Sequence, residues 1–357
     1  MSMSCKIPRA ALLGVALVTA FLPFAAPQVC ARAFREGLAL CGGPLLVSLF
    51  PFLVVSQLLI RCGAGEALGV LLWPVVRLIG LRARCAGGVL LIGLVGGFAP
   101  AATAAAESVR TGRLTPQEAG ALLPACICSG PSFVVLTVGG QMLGSEALGV
   151  CLFAAQALAG VLAAAVLCRL NPPPAVPAAG SPAAPVPPAA PPRLDAVLTA
   201  ASETYLKLCG FVLYFRMLAA GAAALLPETL APLPAMLLEV CSGCDLAARS
   251  GPWASALCCA ALSVQGASVL LQVRTICPAE ISFRPLLWAR VLHLPLSLAW
   301  LCLLMPDGAQ EVFQTLYGRV VPMRRVPLDC ALLVFFFCCF VVCELCRAAQ
   351  PGQDLNE

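Results

Sequence analysis

Apolar runs long enough to cross a bilayer recur from one end of this chain to the other. Residues 148–167 form the cleanest of them, an unbroken run with no charge. About 20 such residues, rising about 1.5 Å each as a helix, match the thickness of a hydrocarbon core. Residues 38–60, 205–226, 253–273 and 286–305 read as further spans, and 328–346 as a last apolar helix before a polar tail. Hydrophobic residues make up 61% of the 357 and charged residues 11%, too much apolar surface for a soluble domain to hide. The sequence therefore specifies an all-α polytopic membrane protein with about eight to ten membrane segments.

Several of these segments are damaged in the middle. Between residues 93 and 140, a first apolar helix carries Gly96-Gly97 and then Pro100. Paired glycines weaken a helix, and proline removes a backbone donor, so a break or kink is expected there. A polar hairpin with Glu107, Arg110 and Arg113 follows, and Thr115-Pro116-Gln117-Glu118 restarts a helix with a capping-box pattern and proline at its first position. That second helix is interrupted at Ser129-Gly130-Pro131. Backbone groups freed inside a bilayer must find partners, so such breaks survive where they are buried in protein or line a wet cavity. A pair of broken segments joined by a hairpin is either a transporter binding site or two proline-kinked structural helices.

The rest of the chain divides around that pair. Residues 1–26, with Lys6 and Arg9 ahead of an apolar run, read as a first spanning or anchoring helix rather than a cleaved signal. Residues 27–170 form a first membrane half. Within it, 65–80 is short, carries Pro74, and is expected to be re-entrant or interfacial, followed by a basic loop with Arg77, Arg82 and Arg84 that is expected to face the cytoplasm. Residues 171–193 are Pro/Ala-rich and cannot pack a core, which makes them a semi-rigid aqueous linker. Residues 194–305 form a second half, and 306–357 hold a loop, the C-terminal helix and a tail. Each half offers an intact helix, a glycine-weakened segment with one acid, and a helix with polar groups at depth. Two related halves with broken or re-entrant helices are expected.

The chemistry such a chain can perform is narrow. The 21 cysteines lie mostly inside apolar runs, as at Cys258-Cys259 and Cys338-Cys339, where thiols act as small hydrophobes. One CxxC (Cys241 to Cys244) and one histidine (His293) do not make a metal or redox set, and no nucleophile–base set points to an enzyme. A net charge of +5, spread over short loops, gives no nucleic-acid patch. Ionisable and polar groups at membrane depth are the remaining candidates, because they face a cavity or a partner. Glu107 stands where the first broken helix leaves the apolar region, with Arg110 one turn on as a surface partner. Ser129 and Gly130 stand at the second break. Glu239, with Ser242 beside it, lies in an apolar stretch weakened at Cys241-Ser242-Gly243, and Arg249 is the nearest base in sequence. Gln265, Ser268 and Gln272 recur at helical spacing, either lining a site or bonding neighbouring helices. His293 is expected to be a packed, hydrogen-bonded residue. The expected surroundings are a lipid bilayer, a small polar solute and a coupling cation.

The segments PQVCARAFREGLALCGGPLLVSLFPFLVVSQLL, GLVGGFAPAATAAAESVRTGRLTPQEA, ICSGPSFVVLTVG, LLEVCSG, and SVQGASVLLQV with SFRPLLWARVLHLPLS resemble, in order and spacing, the sporulation integral membrane protein family (YlbJ type). That family belongs to the wider nucleoside-recognition, or gate-domain, membrane proteins, and the resemblance covers about residues 27–305. It implies a multi-pass protein of the bacterial inner membrane in a spore-forming lineage, with a transport-like core. Glu107, Gly130-Pro131, Phe133, Glu239, Gly243, Gly266, Ser268 and Gln272 match the family pattern. Other positions depart from it: Thr103 stands for a lysine, Ile127 and Cys128 for paired asparagines, Cys241 and Ser242 for Thr and Asn, and Leu270 for a histidine. The resemblance implies a transporter, or a transporter-derived protein, for a small polar solute. The lost polar positions keep open a non-transporting structural component of the spore-forming membrane.

Overall fold

The computed structural model describes residues 9–173, 193–227 and 232–305. Most of the Pro/Ala-rich linker and all of 306–357, including the expected C-terminal helix, lie outside the described residues. Within them every regular element is helical, and five helical stretches, two of them built from successive helices, are long and apolar enough to cross a membrane: Pro27–Arg61, Glu146–Leu170, Leu194–Ala223, Gly251–Ile276 and Arg284–Leu304. The chain is an all-α polytopic membrane protein.

Helix α1 (Arg9–Ala25) leads into α2 (Pro27–Leu40), which starts on proline at its first position. A π turn, Cys41–Leu45, joins α2 to α3 (Leu46–Arg61). The run Gly42-Gly43-Pro44 thus widens the helix without ending it, absorbing the missing donor of Pro44 in a looser turn. Helices α4 (Ala64–Gly69) and α5 (Trp73–Ile79) are too short to cross a bilayer. A β-carbon on Gly69 would come within 2.2 Å of the backbone of Gly88, so α4 crosses the next helix, α6 (Ala86–Gly96), at backbone contact.

The first broken pair follows. Helix α6 stops at Gly97 and α7 (Phe98–Arg110) begins at once. Pro100 sits in the first turn of α7, where its missing donor costs nothing. The hairpin ends at Thr115, whose hydroxyl accepts from Glu118 N at 3.1 Å while the Glu118 carboxylate accepts from Thr115 N at 3.1 Å. This complete capping box opens α8 (Pro116–Cys126). Thr115→Ala is expected to cost about 1 kcal/mol, measured as a lower thermal midpoint, with no effect on insertion. Residues 127–131 are the second break, after which Ser132–Met142 runs as a π-helix. Helix α9 (Glu146–Leu170) closes this half without interruption, as its sequence requires.

After the linker, α10 (Leu194–Ala223) begins at residue 194 rather than 205. It runs antiparallel to α2 and α3: Tyr205 Oη donates to Cys41 O at 2.5 Å, and a β-carbon on Gly37 would press on Leu213. Two departures from expectation follow. The break in the next segment falls at Glu239, between α11 (Pro232–Leu238) and α12 (Val240–Ala247), while Cys241-Ser242-Gly243 is helical. Residues 253–273 are not one helix either: α13 (Ala254–Val264) and α14 (Gly266–Ile276) meet at a left-handed Gln265. Helix α15 (Arg284–Leu304) follows. Each half thus holds two broken segments in succession and then an intact helix, α9 or α15. Helix α9 sits at the centre, its fully buried Ala155, Ala159, Ala163 and Ala164 letting neighbours pack closely.

Candidate functional site

All four breaks meet. Gly97 adopts φ 82°, ψ −164°, a conformation open in practice only to glycine. A β-carbon there would lie 2.8 Å from Gly130 N, so the two breaks of the first half abut through bare backbone. In the second half Gln265 and Gly266 have φ of 62° and 71°, and a β-carbon on Gly266 would lie 2.9 Å from Glu239 N. The halves are then joined by Gln265, whose Nε2 donates to Ile127 O at 3.1 Å. Helix α15 supplies a third partner: Arg290 Nη2 donates to Ile127 O at 2.9 Å and Nη1 to Ser263 O at 3.3 Å.

Glu239 is 1% exposed, and its own helix holds its carboxylate. With φ −148° and ψ 122° it is the N-cap residue of α12. Its side chain accepts from Cys241 N at 2.8 Å, Ser242 N at 2.6 Å and Ser242 Oγ at 2.8 Å. An anionic cap also suits the positive end of the α12 dipole. Ser242 links this cap outward, since Arg216 on α10 lies 3.4 Å from Ser242 Oγ. Arg216 also pairs with Glu36 at 2.9 Å and Asp245 at 3.1 Å, and Asp245 with Arg249 at 2.9 Å. Arg216, from another helix, is thus linked to Glu239 through Ser242, and Arg249 pairs with Asp245.

The other candidates separate into three places. Ser129 and Gly130 line a cavity of about 40 Å³ together with Gly97, Leu49, Leu53 and Cys241, where the two halves face each other. Ser268 and Gln272 are buried and bond one another on α14, Gln272 Nε2 donating to Ser268 Oγ at 3.1 Å. Gln265 does not continue their face, because the left-handed residue turns it away toward Ile127. Glu107 is absorbed by a two-pronged pair with Arg110, at 2.6 and 2.9 Å, and lines a separate cleft of about 60 Å³ with Ser108 and Arg113. That hydrogen-bonded guanidinium holds the Glu107 carboxyl below its ordinary range, opposed by partial burial. In this structure it forms a hairpin ion pair.

Sequence reasoning passed over the most connected residues. Arg290, 9% exposed, lies on one buried face of α15 with Leu286, His293, Ser297 and Leu301, a spacing of three and four residues. From that face a polar network runs inward. His293 Nε2 lies 3.0 Å from Gln156 O, Gln156 Nε2 donates to Ser263 Oγ at 3.1 Å, and Ser263 Oγ lies 2.5 Å from Ser297 Oγ. The packed, hydrogen-bonded state expected of His293 is what the structure has. Gln265 Oε1, Arg290 Nε and His293 Nδ1 have no hydrogen-bond partner among the described residues, so this centre retains polar capacity. The described cysteines are free, and no group of three metal-ligating side chains occurs among the described residues. Comparison of the chain with protein-family models, with curated proteins and with solved structures returns no match.

Proposed function

We propose that this chain is a transporter, or a transporter-derived membrane protein, for a small polar solute, of the sporulation-associated bacterial inner-membrane kind its sequence resembles. The observation that supports this most is the meeting of four helix breaks around a buried polar centre beside a cavity. Unwound backbone in a bilayer is costly, and transporters are where that cost is commonly met by a solute-handling role. The 40 Å³ cavity has room for about three waters. A solute therefore enters only if α7 and α12 move apart, as alternating access requires.

A non-transporting structural role in the spore-forming membrane is favoured by one specific observation. Glu239, the deepest acid among the described residues, spends its carboxylate on capping α12 and points it at no cavity solute. The two roles separate in a thermal-shift screen of the purified protein in liposomes against nucleosides, amino acids and dicarboxylates. A transporter shows saturable stabilisation by one class, about 2.7 kcal/mol at a hundredfold excess over Kd. A flat response to all three classes supports the structural role.

A further inference from the structure

Where α8 and α13 end, their last carbonyls lack helical partners, and both ends point to the same place. Ile127 O, at the end of α8, receives Arg290 and Gln265, and Ser263 O, in the last turn of α13, receives Arg290. Each helix C-terminus carries roughly half a negative charge, so two together present about one. A guanidinium is always charged and offers a planar fork of donors, which matches two separated carbonyls. Among the described residues no carboxylate pairs with Arg290. Its counter-charge is the pair of helix ends.

We propose that Arg290 is a built-in cation, filling from α15 the position at two half-helix C-termini that a bound inorganic cation such as sodium takes in ion-coupled carriers. The centre therefore binds no sodium: the carbonyls are occupied, and a second positive charge would be repelled by the first. The chain needs no dissociable ion to hold its breaks together, whether or not it moves a solute. The expectation of a coupling cation at this centre is replaced by a tethered one.

The test is the ion dependence of stability for the purified protein in liposomes. Exchange of sodium chloride for N-methylglucamine chloride at fixed ionic strength leaves the wild-type thermal midpoint unchanged. Arg290→Ala lowers it by about 10 °C, as removal of one partner of a buried charged contact does. Added guanidinium at tens of millimolar, too dilute to denature, restores at least half of that loss in Arg290→Ala and none in wild type. Sodium-dependent stability of the wild type overturns the proposal. So does an Arg290→Ala protein as stable as wild type, or one that guanidinium does not rescue. If Arg290→Ala cannot be recovered folded, Arg290→Lys against Arg290→Met decides. Lysine, which keeps the charge, folds where methionine does not, and equal behaviour of the two overturns the assignment.

Discussion

Replacing Gly97 by alanine is expected to cost about 4 kcal/mol, enough to leave little folded protein. Two costs add. The backbone at φ 82°, ψ −164° lies in a region that a residue with a β-carbon enters at about 1–3 kcal/mol. The new β-carbon would also stand 2.8 Å from Gly130 N and 3.2 Å from Gly130 Cα, neither of which can rotate away, and overpacking of this kind costs about 1–3 kcal/mol. Gly112→Ala isolates the first cost. Gly112 has φ 69° with nothing within 4 Å of its would-be β-carbon, so only the left-handed strain of about 1–2 kcal/mol applies. Denaturation of both variants in the same lipid checks the difference. Equal losses at Gly97 and Gly112 would mean that the two breaks do not touch.

The second large effect belongs to Glu239. Its two carboxylate oxygens accept three hydrogen bonds at 2.6 to 2.8 Å. Glutamine keeps the shape but replaces one accepting oxygen by a donating nitrogen. That nitrogen would face either Cys241 N–H or the Ser242 pair, leaving a buried donor opposed by a donor. Hydrogen bonds to a charged group are worth about 1.5–3 kcal/mol and an orphaned buried donor about 1–3 kcal/mol, so Glu239→Gln is expected to lose about 3 kcal/mol. Glu239→Gln is therefore not a silent way to remove the charge. Aspartate is among the best N-cap residues and is expected to keep most of the stability, less about 1 kcal/mol for the missing methylene. Thermal midpoints of the two variants side by side test this. A Gln variant as stable as the Asp variant would refute the capping role.

Elements whose signal is local were readable from the sequence. The capping box at Thr115, the break at Gly97 and the uninterrupted α9 follow from proline, glycine and apolar run length within a few residues. The break at Gln265 was not readable, because a single glycine in an apolar run usually stays helical. There the left-handed Gln265-Gly266 pair lies against the backbone of Leu238 and Glu239, a close approach that no local pattern shows. The break at Glu239 was displaced toward Gly243 for a related reason. Glycine marks where a helix is weak, whereas an acidic N-cap marks where it restarts, and here the cap decided. Arg290 was hidden because an arginine near the start of an apolar helix resembles an interfacial anchor. Only the convergence of α8 and α13 gives it a buried role. Among the candidate residues, Ser129, Gly130, Glu239, Ser242 and Gln265 stand at or beside the breaks, while Glu107 belongs to the hairpin and Ser268 and Gln272 bond each other.

The antiparallel pairing of α10 with α2 and α3 also serves as a depth gauge. Glu36 meets Arg216 near one end of the pair, while Leu53 and Val54 pack on Val197 and Ala201 toward the other, where Arg61 ends the helix. At about 1.5 Å per residue, Glu36 and Arg61 are roughly 37 Å apart, a little more than a hydrocarbon core of about 30 Å. Leu49, which lines the cavity between the halves, falls about midway. The Glu36–Arg216–Asp245–Arg249 chain therefore lies at one headgroup level and the Glu107–Arg110 hairpin, whose cleft is shared with Leu59 and Ile60, at the other. Ion pairs at those levels exchange with water and fade as salt rises. Arg290, tied to Ile127 and buried, is screened far less than these outer pairs, so rising salt loosens the two outer layers of ion pairs before it touches the contact that joins the halves.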